Sequence, residues 1–356
     1  MHISNLELLN FRNYPKLSVI FTSGLNVIVG RNGVGKTNIV EAIDLFGFAK
    51  SFRTNDTKAL IRYAEAKAII TATIHVPNRT EISIELAPRS KKVTVNGKLL
   101  TKLSHLSRYV SCTTFQPEDV LFFDDSPQRR RKFIDTNIVR TDEVYLAAIS
   151  RYEKLLKERN ALLKTEQAED MLVLIDEPFT KEASVIIEKR DKFVKLLTRH
   201  VNDILKTLSN DRLNVRFVYT SSFGSAENVA SNGIAMLQKV RQREMVLEST
   251  TIGPHRDDLT AILNGHDVKE SASQGQKRLI AIALALAPYF MEKVDYKKPI
   301  IILDDVLSEL DAFHQERLIT LLLKCNQVFI TTTAYDNYAH AIYEINESKE
   351  IRRTNE

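Results

Sequence analysis

From Ile3 to Leu9 apolar and polar residues alternate, as in a strand with one buried face. Leu25–Val29 (LNVIV) is a short apolar strand that runs into glycines, and from Lys36 to Ala49 the apolar spacing becomes helical. Ala66–Val76 and Thr80–Ala87 are rich in Ile, Thr and Val and predict two further strands, as does Tyr109–Phe115. KVTVNGKLL sets Asn96-Gly97 between short strands, the signal of a two-residue hairpin turn with positive φ at both positions.

Helical patterns dominate from Pro127 to Ser209. Tyr145, Ile149, Tyr152, Leu156 and Leu163 form one stripe, and Ile186, Phe193, Leu197, Val201, Ile204 and Leu208 form another, with a break expected at Leu172–Pro178. Two amphipathic helices of about 25–30 residues on a short connection predict an antiparallel pair, either a protruding arm or a compact subdomain. Beyond it, strand and helix patterns alternate. Leu213–Tyr219 and Leu259–Leu263 read as strands, Ser273–Tyr289 as an apolar helix, Pro299–Asp304 as a buried strand, Glu309–Lys324 as a helix and Gln327–Thr332 as a strand. Continuously apolar strands alternating with helices indicate a parallel sheet covered on both faces.

Composition narrows the class. The 356 residues are 44% hydrophobic and 27% charged, ordinary globular values that exclude disorder as the main description. The net charge of +5 allows a polyanionic partner, but specific local sites must supply much of any phosphate binding. Cys112 and Cys325 lie in apolar runs and are expected as buried, reduced thiols. No secretory leader is read at the N-terminus, and the longest apolar run, Leu279–Phe290, is short of the ~20 residues that span a bilayer. A cytoplasmic protein is expected.

The strongest chemical signal is GRNGVGKT, which fits G-x-x-x-x-G-K-[ST] and lies between an apolar strand and an amphipathic helix. Glycines let the backbone wrap a phosphate with its N–H groups, and the helix adds its positive end. Lys36 is the point charge for β- and γ-phosphates, and the Thr37 hydroxyl is placed for Mg²⁺. IIILDD supplies the partner carboxylates: Asp304, ending a buried strand, for Mg²⁺, and Asp305 to orient or deprotonate attacking water. Upstream of it, SASQGQKR opens the apolar helix. Its order and spacing resemble the signature motif of ABC-type ATPases, with Ser273 as the serine that reaches a γ-phosphate held by another subunit. An ordinary serine capping a core helix is the alternative reading of Ser273.

With these motifs in place, the chain resembles the RecF family of bacterial recombination and replication-repair ATPases nearly end to end. The resemblance rests on LELLNFRNY, GRNGVGKTN, KSFRT, SPQRRRKFID, TIGPHRDDL, SQGQKR and LDDVLSELD. It implies an α/β fold, a P-loop ABC/SMC-like ATPase head with an inserted helical lobe. The head would comprise residues 1–125 and 251–356, and the lobe residues 126–250. ATP and Mg²⁺ are the implied cofactors. Also implied are homodimerisation on ATP binding and slow, DNA-stimulated hydrolysis. The implied DNA is single-stranded, gapped or duplex, bound with RecO and RecR to load RecA, in recombinational gap repair, replication and SOS induction.

Matched residue by residue, the nucleotide stretch is Gly30, Arg31, Asn32, Gly33, Val34, Gly35, Lys36, Thr37 and Asn38, with Arg12 and Asn13 close to it. Asp304 and Thr37 match the metal contacts, and Asp305 the hydrolytic position. Ser273 and Gly275 match the signature, and Asp311 the loop that links two sites in a dimer. Gln116 is a candidate for sensing metal and water, with an ordinary loop glutamine as the alternative. Arg129, Arg130, Arg131 and Lys132 form the densest basic run, and Lys91 and Lys92 flank the Asn96-Gly97 hairpin; both groups are candidates for DNA phosphates or simply solvated faces. In GPHRDD, a structural ion-pair network is as good a reading as a site. An ATPase subunit of a membrane transporter is the competing function, since the motif order suits it.

Overall fold

In the computed structural model, residues 1–165, 168–210, 213–335 and 339–354 are described. Strands β1 (His2–Phe11), β2 (Tyr14–Ile20) and β3 (Gly24–Val29) lead into helix α1 (Lys36–Phe48). Strands β4 (Ala68–Val76), β5 (Asn78–Ala87), β6 (Ser90–Val95), β7 (Lys98–Leu99) and β8 (Cys112–Phe115) follow. Next come α2 (Pro127–Val139), α3 (Glu143–Leu162), α4 (Ala168–Ser209), β9 (Val215–Thr220), α5 (Ala226–Leu247), β10 (Asp258–Leu263) and β11 (His266–Asp267). The chain continues through α6 (Val268–Ser271), α7 (Gln274–Met291), β12 (Ile300–Asp304), α8 (Ala312–Leu322), β13 (Gln327–Thr332), β14 (Ala341–Ile345) and β15 (Ile351–Arg353).

Two compact units result: Met1–Val120 with Asp203–Leu213 and Arg278–Glu356, and Leu121–Asn202 with Asn214–Lys277. The first holds two six-stranded sheets, ordered β15-β14-β3-β13-β12-β8 and β2-β1-β4-β5-β6-β7. In the former, β14, β3, β13, β12 and β8 run parallel. Every residue of IIILD and of QVFITT is buried, because helices and the second sheet leave these strands no wet face. The antiparallel sheet alternates instead, with Leu6, Ile70 and Ile84 joining Val40, Phe46, Ile302 and Phe329 in one core. Gln327 ties the sheets together. Its Oε1 accepts from Ile3 N at 2.7 Å, and its Nε2 donates to the carbonyls of Ile3 and Thr22 at 2.8 Å. The predicted hairpin turn is present, with Asn96 and Gly97 at φ 48° and 76°.

In the second unit α3 and α4 are antiparallel. The pairs Asp142–Lys189, Arg151–Glu182 and Arg159–Asp176 run in opposite directions along the two helices. The break expected at Leu172–Pro178 is absent: α4 continues through Pro178. Leu172, Phe179, Ala183 and Ile186 are buried, as is Asp176, which pairs with Arg159 and Arg241. These tertiary anchors on both sides of the proline hold the turn despite its missing N–H. Helix α5 was not anticipated. It packs closely on α4, since a Cβ on Gly233 would lie 2.9 Å from Thr180 Cγ2.

The unit is also not purely helical, and it reaches Lys277 rather than stopping near residue 250. The reason is pairing: β10 is antiparallel to β9 from Asp258↔Thr220 to Leu263↔Val215, and a second Asn-Gly turn (Asn264 φ 53°, Gly265 φ 86°) leads into β11. Cys112 and Cys325 are buried thiols, neither of them in a disulfide, as expected.

Candidate functional site

The phosphate loop joins β3 to α1. Gly33 and Gly35 have φ of 84° and 119°, conformations that disfavour a side chain, and Gly35 is the N-cap of α1. A Cβ on Gly30 would lie 2.8 Å from Ile345 O, so this glycine is set by close packing. Arg31, Asn32 and Gly33 are exposed, whereas Val34 and Lys36 are buried. Lys36 Nζ turns onto the loop itself, donating to the carbonyls of Gly30 (2.5 Å) and Arg31 (3.0 Å). Burial lowers its pKa, while the carboxylates of Asp305 and Asp304 pull it back up. The loop therefore carries a cation hydrogen-bonded to its own carbonyl oxygens and attracted by two carboxylates, with a helix N-terminus beneath it.

Sheet register brings the carboxylates to the loop. Leu303 pairs with Phe115, Asp304 with Thr331, and Thr332 with Val29. Asp304 Oδ1 accepts from Thr37 Oγ1 (3.0 Å) and Thr331 Oγ1 (2.5 Å). Burial raises the Asp304 pKa against these two bonds. Asp305 is left-handed at φ 49°; its N–H donates to Thr331 Oγ1 (3.0 Å), and its Oδ1 is buried without a partner. Gln116 directly follows Phe115, which pairs with Leu303, the residue before Asp304. A hydroxyl and a carboxylate side by side are the hard oxygen donors that Mg²⁺ takes together with phosphate oxygens. Thr331 was not anticipated; its one sequence cue is a polar TTT run ending an apolar strand.

Arg12 and Asn13 form the turn between β1 and β2, with Arg12 at φ 52°. Asn13 does meet the loop: its Nδ2 donates to Val34 O (3.3 Å), and its Oδ1 accepts from Asn38 Nδ2 (2.8 Å). Arg12 instead grips Glu41 of α1 with two bonds (2.8 and 2.6 Å) and donates to Ala59 O (2.8 Å). Glu41 is fully buried and also accepts from Ser51 Oγ (2.5 Å). Arg53, a residue not singled out from sequence, donates to Asn38 Oδ1 (3.0 Å) and lies 3.6 Å from Glu41. Its charge reaches Asp304 and opposes, in small part, the rise that burial imposes on that group's pKa. At the C-terminal end, Glu347 pairs with Arg31 (2.8 Å) and Lys349 Nζ donates to Asn13 O (2.8 Å).

Ser273 caps α7 in a reciprocal box. Ser273 N donates to Gln276 Oε1 (2.9 Å), and Gln276 N donates to Ser273 Oγ (3.3 Å). Ser273 itself is exposed, and a Cβ on Gly275 would meet nothing within 4 Å, so no local packing demands that glycine. Asp311 caps α8 by accepting from His314 N (2.9 Å); this bond, with the histidine side chain, lowers its pKa.

The basic residues are mostly engaged. Arg130 makes two bonds to Asp258 (2.7 and 2.8 Å), Arg131 donates to Asp257 O (2.7 Å) and Arg129 pairs with Asp125 (2.9 Å), whereas Lys132 is exposed. Lys91 donates to Ala49 O (2.9 Å) at the end of α1, whereas Lys92 is exposed. GPHRDD is built into a network. Arg190 binds Asp135 (2.9 Å) and Pro254 O (2.7 Å), and Asp257 accepts from Ser222 N (3.0 Å) and Tyr219. His255 lies between Tyr152 OH (2.7 Å) and Thr250 O (3.0 Å), and burial lowers its pKa to about 4.

The profile of the RecF/RecN/SMC N-terminal domain family matches residues 2–353. Two proteins named "DNA replication and repair protein RecF", from Bacillus thuringiensis (strain Al Hakam) and Bacillus cereus (strain B4264), are each 36% identical over 367 residues. Each alignment covers 100% of this chain and 97% of the relative. A solved structure of the recombination mediator protein RecF with ATP, described as part of the RecFOR pathway, superposes with TM-score 0.91 at 29% identity, covering 99% of each chain. An Smc head bound to the C-terminal winged-helix domain of ScpA superposes with TM-score 0.61 at 17% identity, covering 99% of this chain and 98% of that one, a likeness of fold.

Proposed function

We propose, from the premise that this chain belongs to the RecF family of SMC-type ATPase heads, that it is an ATP-gated DNA clamp. In this reading ATP closes two copies on each other, and slow hydrolysis resets them. The observation that carries the reading is the convergence of Lys36, Thr37, Asp304 and Asp305 at one end of the parallel sheet.

Each group has a part. Lys36 exchanges the carbonyls of Gly30 and Arg31 for the β- and γ-phosphates, which the backbone N–H groups of the loop also bind. Thr37 and Asp304, with Gln116 as a further candidate, would hold Mg²⁺, which would supply charge neutralisation on the phosphates. Asp305 orients the attacking water through its unpartnered carboxylate oxygen. Ser273 and Gly275 of a second copy complete the site, and Asp311 lies on the loop between the two sites. Arg53 adds a cation beside the loop.

DNA is bound independently of sequence, whether single-stranded, gapped or duplex. The exposed Lys132 and Lys92 are better phosphate contacts than Arg130, Arg131 or Lys91, whose charges are spent within the fold. RecO and RecR mediators are the expected partners, with RecA loading at gaps, replication and SOS induction the processes served, in the cytoplasm. The transporter-subunit alternative is set aside, because the family is that of RecF, RecN and SMC.

Light scattering with ATP tests the clamp. The native chain and Asp305→Asn should dimerise with ATP, and Lys36→Met should stay monomeric while folding normally. A native chain that stays monomeric with ATP would overturn the reading.

A further inference from the structure

Tyr14 is fully buried, yet its hydroxyl has no hydrogen-bond partner. It opens β2, paired with Phe11 across the Arg12–Asn13 turn. Its hydroxyl lies against the phosphate loop: a Cβ on Gly35 would be 2.8 Å from it. Asn13, one residue earlier, already bonds Val34 O at 3.3 Å. One rigid turn thus sets two polar side chains against the end of the loop.

An unmet hydroxyl in a buried site costs stability, and phenylalanine would fill the same space without that cost. The hydroxyl is therefore useful in another arrangement of its neighbours. The phosphate loop is the neighbour that must rearrange, because its Lys36 is bonded to the loop's own carbonyls and has to leave them for phosphate.

We propose that Tyr14 is a positioning residue for the nucleotide-bound loop. Its hydroxyl donates to a loop carbonyl once Lys36 has moved to the phosphates, so it favours the bound arrangement and disfavours the empty one. A ligand shifts such an equilibrium only through differential contacts, and this bond is one. The inference rests on the proposed nucleotide site.

Tyr14→Phe tests it, with fluorescent-ATP titration and thermal melts of the full chain with and without Mg-ATP. The empty variant should melt at or above the native temperature. Its ATP affinity should fall about 3- to 10-fold, the worth of one net hydrogen bond, and its ATP-induced melting shift should shrink. Unchanged affinity, or a lower melting temperature without nucleotide, would overturn the role of Tyr14. Failure of the native chain to bind ATP would instead overturn the site itself.

Discussion

Thr37 Oγ1 donates to Asp304 Oδ1 across 3.0 Å, joining residues 267 positions apart in the chain. The same oxygen accepts from Thr331, so one carboxylate gathers three elements of the parallel sheet and its helix. Asp304 is a buried anion whose pKa is raised chiefly by that burial.

A carboxyl group whose folded pKa is raised lends stability below its unfolded pKa of about 3.9 and loses it as pH rises through the folded value. Asp304→Asn should therefore raise the melting temperature of the nucleotide-free protein near pH 7, by a few degrees, with the gain fading toward pH 4. The variant should also lose stabilisation by Mg-ATP. Thermal melts at several pH values read both effects, and a loss of stability that is constant with pH would contradict the electrostatic account.

Ser273 has a structural task in its capping box and a proposed task in a second copy's site. Either Ser273→Ala or Gln276→Ala should cost about 1 kcal/mol through the cap. Only Ser273→Ala should also abolish ATP-dependent dimerisation. Equal dimerisation by the two variants in analytical ultracentrifugation would leave Ser273 as a cap alone.

Glu41 receives Arg12 and Ser51, with Arg53 within 3.6 Å, and has no exposure. Removing it leaves a mostly buried guanidinium unpaired, a loss of about 3–5 kcal/mol. Glu41→Ala should shift urea unfolding accordingly and weaken ATP binding, since Arg53 and Asn38 share a bond at the start of α1. A small change in midpoint would mean that Arg12 finds another acceptor.

His255 is neutral in the fold, with a pKa near 4 against an unperturbed value of 6.5. Between these values the unfolded chain takes up a proton that the folded chain refuses, so stability falls as pH drops from 6.5 toward 4. The full effect is roughly 3 kcal/mol. His255→Gln should be less stable at pH 7 yet lose less on acidification. Parallel slopes for variant and native protein in denaturant titrations would rule out His255 as the cause.

Features decided within a few residues were legible in the sequence. Asn96-Gly97 announces its turn by the φ angles that only such residues accept readily, and the phosphate loop by its glycines and lysine. Apolar IIILD reads as a buried strand because it has no wet face. Features decided by distant partners were not. The helix at Pro178 is held by Arg159 and Arg241 through Asp176, which no periodicity displays. Helix α5 buries Val229, Gly233 and Leu237, then Arg241 and Glu244, so its apolar stripe fades where its buried charges begin. Within QRRRK, charge alone did not separate Arg130, committed to Asp258, from the exposed Lys132.

The place of β3 between β13 and β14 has a consequence in time. The phosphate loop is synthesised about 300 residues before both strands that flank β3, Gln327–Thr332 and Ala341–Ile345. At about 5–20 residues per second, β3 waits on the order of tens of seconds for its neighbours. The antiparallel sheet from β1 to β7, whose strands are close in sequence, can form meanwhile. A ribosome-bound fragment lacking Gln327–Ile345 therefore carries the phosphate-loop sequence without the two strands that flank β3.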